Sequence, residues 1–185
     1  MKLFFKKYGN SGSDLIIIHG LFGMSDNWNT LGRKFSKYFK VHLIDLRNHG
    51  KSPHSTEFNY DVMCEDLIEY IEDYNIKKPI VIGHSLGGKV AMKLAFTHAE
   101  ILEKLLVADI SPRRYNTDFH ENLLKILYRL PLEDFSRRED IEEVLAETFE
   151  NRGMRLFLMK NLYRNEDKKF AWRFNIDVLL EKVSN

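Results

Sequence analysis

The stretch Pro79-Ile80-Val81-Ile82-Gly83-His84-Ser85-Leu86-Gly87-Gly88-Lys89-Val90 decides the fold. A short β-branched run ends on a glycine, a serine follows two positions later, and apolar residues at helical spacing begin at once with Val90, Ala91, Leu94 and Ala95. Such a pattern reads as a buried strand turning directly into a helix. Gly-x-Ser-x-Gly alone is modest evidence, but between a strand and a helix it has the context that a serine nucleophile elbow requires. The sharp turn strains the serine backbone and leaves no room for side chains at 83 and 87. It also lifts the Ser85 hydroxyl to a helix N-terminus, where the positive end of the dipole favours developing negative charge. The alternative is a glycine-rich helix start without chemistry.

Working outward, further short apolar runs fall at 15–18, 41–46 and 105–110. Helical patterns lie between the runs: Trp28, Leu31, Phe35 and Phe39, then Met63, Leu67, Ile71 and Tyr74. Strand and helix alternating at this pace imply crossover units on a parallel sheet. After Pro112 the strand signals stop, and amphipathic stretches near 117–130, 137–150, 153–163 and 173–183 predict helices. The expected division is therefore an α/β core over residues 1–112 and a helical layer over 113–185.

Two loops at strand ends carry further signals. His19-Gly20-Leu21-Phe22-Gly23 follows the first core run, and backbone N–H groups in such a loop can stabilise the oxyanion of acyl transfer. The expected donors are Leu86, the residue after the serine, and Leu21, with Phe22 as the alternative to Leu21. His19 reads as a buttress of the loop rather than a base. Asp45-Leu46-Arg47-Asn48-His49-Gly50-Lys51-Ser52 follows the second run, and its side chains can bond their own backbone to hold a tight loop. His42, His49 and His54 lack carboxylates at helpful spacing, so neither a metal nor a cofactor is expected.

Composition narrows the function classes. The 185 residues hold 28 Lys plus Arg against 27 Asp plus Glu, a formal charge of +1 that makes nucleic acid a poor partner. Apolar residues at 44% and charged residues at 30% describe an ordinary globule rather than a disordered chain. The single cysteine, Cys64, sits among apolar residues at helical spacing and reads as a small buried hydrophobe in a reducing compartment. No run approaches the ~20 apolar residues of a membrane span, and Met1 to Asn10 does not read as a secretory signal, so a cytoplasmic location is expected.

Together, His19 to Gly23, Asp45 to Ser52, Gly83 to Gly88 and Val107-Ala108-Asp109-Ile110-Ser111-Pro112 resemble the α/β-hydrolases, especially the YbfF-like esterase branch. The resemblance implies a serine hydrolase of carboxylic esters and acyl-CoA thioesters, with a mostly parallel core sheet and a helical cap. It transfers the role of nucleophile to Ser85 within the Gly83, His84, Gly87 elbow, and that of triad acid to Asp109. One helix and one strand after Ser85, the chain does return to the same carboxyl edge. A serine at 85 also sets the chain apart from the dehalogenase and epoxide-hydrolase branches, which place a carboxylate there.

One element of the resemblance is missing. The family's general-base histidine lies near the chain end, whereas the last of the seven histidines here is His120. The leading expectation is a chain lacking the last core strands and the histidine loop of a longer enzyme, and therefore nearly inactive. The alternatives are His120 acting from the cap, and a natural short relative that binds a small ligand without cleaving it. An incomplete sheet would expose the edge of the strand at 105–110 and favour self-association.

Overall fold

The computed structural model describes residues 1–183. Five strands form one sheet: β1 (Phe5–Tyr8), β2 (Asp14–Ile18), β3 (Lys40–Ile44), β4 (Ile80–His84) and β5 (Lys104–Ala108), in the order β1-β3-β2-β4-β5. β1 runs antiparallel to β3, and the other pairings are parallel. Three helices accompany the sheet: α1 (Asn29–Phe35), α2 (Tyr60–Asp73) and α3 (Leu86–Thr97).

The period-2 pattern of β2 explains the layering. Ile16 and Ile18 join Ile44, Leu67, Val90 and Leu94 in a core beneath α2 and α3. Leu15 and Ile17 face the other way, with Leu43, Trp28 and Phe35 on the side of α1. A strand buried on both faces must be apolar at every position, which is why 15–18 reads as a continuous run. Cys64 is buried in the α2 layer, and desolvation raises its thiol pKa as expected of a packing residue. Asn59 caps α2, its side chain accepting from the Val62 N–H at 3.0 Å.

β1 was not foreseen, since Lys6 and Lys7 interrupt its apolar pattern. It is an edge strand, where charges are tolerated and discourage stray pairing. At the opposite edge, β5 has no second partner strand among the described residues, and Leu106 on it is 52% exposed.

A first compact unit runs from Met1 to Tyr115 and a second starts at Asn116. The second unit holds α4 (Asp118–Tyr128), α5 (Arg138–Thr148), α6 (Arg152–Met159), β6 (Leu162–Arg164), β7 (Phe170–Trp172) and α7 (Ile176–Lys182). Its own core includes Leu124, Leu127, Ile141, Leu145, Leu158, Phe174 and Leu179. The β6–β7 hairpin corrects the expectation of an all-helical segment after Pro112. Phe170, Trp172 and Phe174 are all buried, a period-2 alternation falling between and into the helices expected at 153–163 and 173–183. Trp172 stacks on Phe174 at 5.2 Å and donates its indole N–H to the Leu127 carbonyl at 3.3 Å. The turn closes on Asn165, whose side chain accepts from the Lys169 N–H at 2.9 Å.

A buried ion pair fastens the loop after β3 to α2. The Arg47 guanidinium holds Asp66 with two bonds, at 2.6 and 2.9 Å, and both residues are buried. Removing one partner of such a pair leaves the other charge buried and uncompensated. Asp66→Ala should therefore lower unfolding stability by about 3 to 5 kcal/mol, read as a fall in the urea midpoint. The double variant with Arg47→Met should recover part of the loss.

Candidate active site

β4 and β5 end in register, with His84 opposite Ala108. The next residue of each strand is therefore a neighbour at the same carboxyl edge, and those residues are Ser85 and Asp109. The Ser85 N–H donates to the Ala108 carbonyl at 3.0 Å, which pins the turn to the neighbouring strand. Ser85 itself has φ 49° and ψ −115°, a left-handed conformation that costs an ordinary side chain about 1 to 3 kcal/mol. It stands at the N-cap position of α3, yet its hydroxyl makes no capping bond.

Crowding explains the flanking glycines. A Cβ on Gly87 would stand 2.5 Å from the His19 carbonyl oxygen, and one on Gly83 would run into the Gly87 carbonyl. Asp109 is also left-handed, at φ 57°, and is 87% exposed on its side chain. Its Oδ2 lies 3.7 Å from Nε2 of His84, the one histidine within ion-pair range of it among the described residues. His84 was expected only as an elbow residue. Nothing in the spacing signals that its ring turns toward the carboxylate.

The loop after β2 presses against the serine. A Cβ on Gly20 would be 3.1 Å from Ser85 Cβ and 2.9 Å from His84 Nδ1, and Phe22 is left-handed at φ 60°. The loop is tied to α3 by the Gly87 N–H, which donates to the His19 carbonyl at 3.1 Å. The N–H groups of Leu21 and Leu86 find no acceptor among the described residues. Two unspent donors at a strand end and a helix start are available to an anion.

Two further histidines, His19 and His49, are buried at the strand ends. His19 is buried, with Nδ1 donating to the Gly20 carbonyl at 2.8 Å and Nε2 accepting from the Leu46 N–H at 3.0 Å. Burial pushes its pKa down to about 4, so the ring is neutral and has no lone pair left for a base's role. His49 is likewise pushed down to about 3 by burial. The loop from Asp45 to Ser52 is a closed structure, as its composition suggests. Asp45 accepts from the N–H groups of Ser25 and Lys51, and Ser52 Oγ accepts from the Phe4 N–H. His120 lies in α4 of the second unit, half-buried, with desolvation lowering its pKa. No group of three or more potential metal ligands occurs among the described residues, and no helix there is long and apolar enough to cross a membrane.

A sequence model for the alpha/beta hydrolase fold matches residues 15–176. The chain belongs to the alpha/beta hydrolase fold family. Among its relatives, the esterase YbfF of Escherichia coli is 31% identical over 94% of the chain. The sn-1-specific diacylglycerol lipase ABHD11 of Danio rerio is 37% identical over 92% of it. The chain spans 66% and 55% of their lengths, respectively. A solved marine microorganism esterase is 40% identical, superposes with a TM-score of 0.96, and is covered over 72% of its length by 99% of this chain.

The buried neutral histidines link stability to pH. The unfolded chain takes up protons near pH 6.5, whereas folded His19 and His49 stay neutral until about 4 and about 3. Stability should be full above about pH 6.5 and fall as pH drops toward 4, by up to about 1.4 kcal/mol per pH unit for each histidine. Thermal melts from pH 7 to 4 check this, and His49→Gln should flatten the slope.

Proposed function

We propose that this chain carries the nucleophile, triad acid and oxyanion donors of a serine hydrolase of carboxylic esters. The observation that supports it most is Ser85: a strained, uncapped hydroxyl beside the free Leu21 and Leu86 amides, one strand from Asp109. Strain of this kind persists only where the surroundings over-determine it, and it clusters at functional sites. In the reaction, Ser85 Oγ attacks the acyl carbonyl, the Leu21 and Leu86 amides hold the oxyanion, and water later releases the acyl group. Asp109 fixes the imidazole that takes the serine proton. The names of the relatives, an esterase and a diacylglycerol lipase, support an ester substrate. Action on acyl-CoA thioesters rests on resemblance to the YbfF-like branch.

The imidazole base is the part the described residues do not supply at the elbow. His19 is spent, and His84 faces Asp109 from beside the serine. Without the base, the oxyanion hole and binding should leave only about 10³- to 10⁴-fold over water. Turnover of p-nitrophenyl esters by this chain should therefore be very slow, and imidazole added to the buffer should raise it severalfold. A fluorophosphonate should label Ser85, and Ser85→Ala should abolish both label and turnover. Rapid turnover lost on His120→Ala would install His120 as the base. Turnover indifferent to Ser85→Ala sinks the serine mechanism, and a folded protein that takes no label but retains a small apolar ligand favours a binding module.

The free side of β5, with Leu106 exposed, supports self-association of this chain. Sedimentation velocity should show concentration-dependent dimers or larger species, reduced by Leu106→Lys; a monomer at every concentration rejects it.

A further inference from the structure

His19 bonds through its backbone and its ring to three segments around the serine. Its carbonyl accepts from the Gly87 N–H at 3.1 Å, joining the loop to the first turn of α3. Its Nε2 accepts from the Leu46 N–H at 3.0 Å, joining the loop to the end of β3. Its Nδ1 donates to the Gly20 carbonyl at 2.8 Å, the same oxygen that accepts from the Gly23 N–H at 2.9 Å. That doubly bonded oxygen sets the bend containing Leu21 and left-handed Phe22. One residue thus fixes the loop that bears one oxyanion donor relative to the helix start that bears the other.

We propose that His19 is a positioning residue, a neutral imidazole locked in the Nδ1–H tautomer that holds the Leu21 and Leu86 amides at the spacing an oxyanion needs. The inference rests on the serine-hydrolase reading and adds a residue to it. Chemistry explains why an imidazole is suited to this position. Leu46 N–H is a donor, so the ring atom facing it must be a lone pair, while the Gly20 carbonyl demands a proton on the other nitrogen. Neutral imidazole offers one donor and one acceptor on a rigid ring. A primary amide offers the same pair on a more flexible stem, and a methyl offers neither. Since donors preorganised toward developing charge lower the barrier, loosening the bend should slow bond formation to Ser85 more than it weakens binding.

The test uses the whole chain and a saturable alkyl fluorophosphonate. The Ser85 oxygen bonds to phosphorus, and fluoride leaves with the hydroxyl proton as hydrogen fluoride. The maximal labelling rate should fall at least about tenfold in His19→Ala while the half-saturating concentration changes little, and His19→Gln should restore most of the rate. Amide exchange should quicken at Gly23, Leu46 and Gly87 in His19→Ala, with Val81 still protected as the sign of an intact core. If His19→Ala does not fold, the tautomer read from imidazole nitrogen shifts in the unsubstituted protein decides, and a proton on Nε2 at pH 7 overturns the proposal. Wild-type labelling rates in His19→Ala also overturn it. A folded wild-type chain that takes no label at Ser85 overturns the hydrolase reading and this inference together, whereas labelling that ignores His19 removes the inference alone.

Discussion

The site depends on one pairing, that of His84 with Ala108 at the carboxyl ends of β4 and β5. Because these strands are parallel and end in register, the chain emerges from each at the same level. The two residues that emerge are the serine and the aspartate, and both are left-handed. A parallel sheet puts all its strand ends with free carbonyls on one side, so loops bearing polar residues gather there while the faces stay apolar. The bond from Ser85 N–H to the Ala108 carbonyl extends the ladder by one step beyond the last strand residue. It therefore spends the serine's own amide on holding the turn, while the next amide, that of Leu86, has no acceptor among the described residues.

Strain at the carboxyl edge is spread over three segments, each held by a different partner. Phe22 is fixed by the bend around the Gly20 carbonyl, Ser85 by the β4–β5 ladder, and Asp109 by its position directly after β5. At about 1 to 3 kcal/mol each, such conformations would relax if any segment stood alone. They survive because the buried apolar layers on both faces of β2 fix the strand ends independently of the loops. The ion pair of Arg47 with Asp66 and the closed Asp45 loop do the same for the end of β3, to which His19 is bonded.

How much of this was legible in the sequence follows from the range of the interactions. The core strands were readable because burial on both faces demands unbroken apolar runs at 15–18 and 41–46, a purely local signal. The place of Ser85 at a strand-to-helix turn was readable because the turn imposes glycines at fixed offsets, whereas Asp109 was singled out by resemblance, with which the return of one crossover unit to the neighbouring strand agrees. β1 escaped because an edge strand tolerates Lys6 and Lys7. The β6–β7 hairpin escaped because its strands are only three residues each, too short for alternation to stand out, and the stack of Trp172 on Phe174 with the bond to Leu127 holds it. The orientation of His84 toward Asp109 and the bonds of His19 to Leu46 and Gly87 join segments distant in the chain, so no spacing rule could reveal them.

Neutral His19 and exposed Asp109 mark opposite uses of the same surroundings. Burial strips His19 of a proton and makes it a fixed donor and acceptor, which suits a part that must not move during a reaction. Asp109 keeps its side chain open to solvent, with a loose contact to His84 at 3.7 Å among the described residues. A carboxylate held on a strained backbone but left without a firm partner is poised to take one. The one histidine within ion-pair range of it among the described residues is borne by the residue beside the serine. On the proposed reading, the nucleophile and the oxyanion donors belong to the framework fixed by β4, α3 and the loop after β2, while the acid stands exposed at its rim.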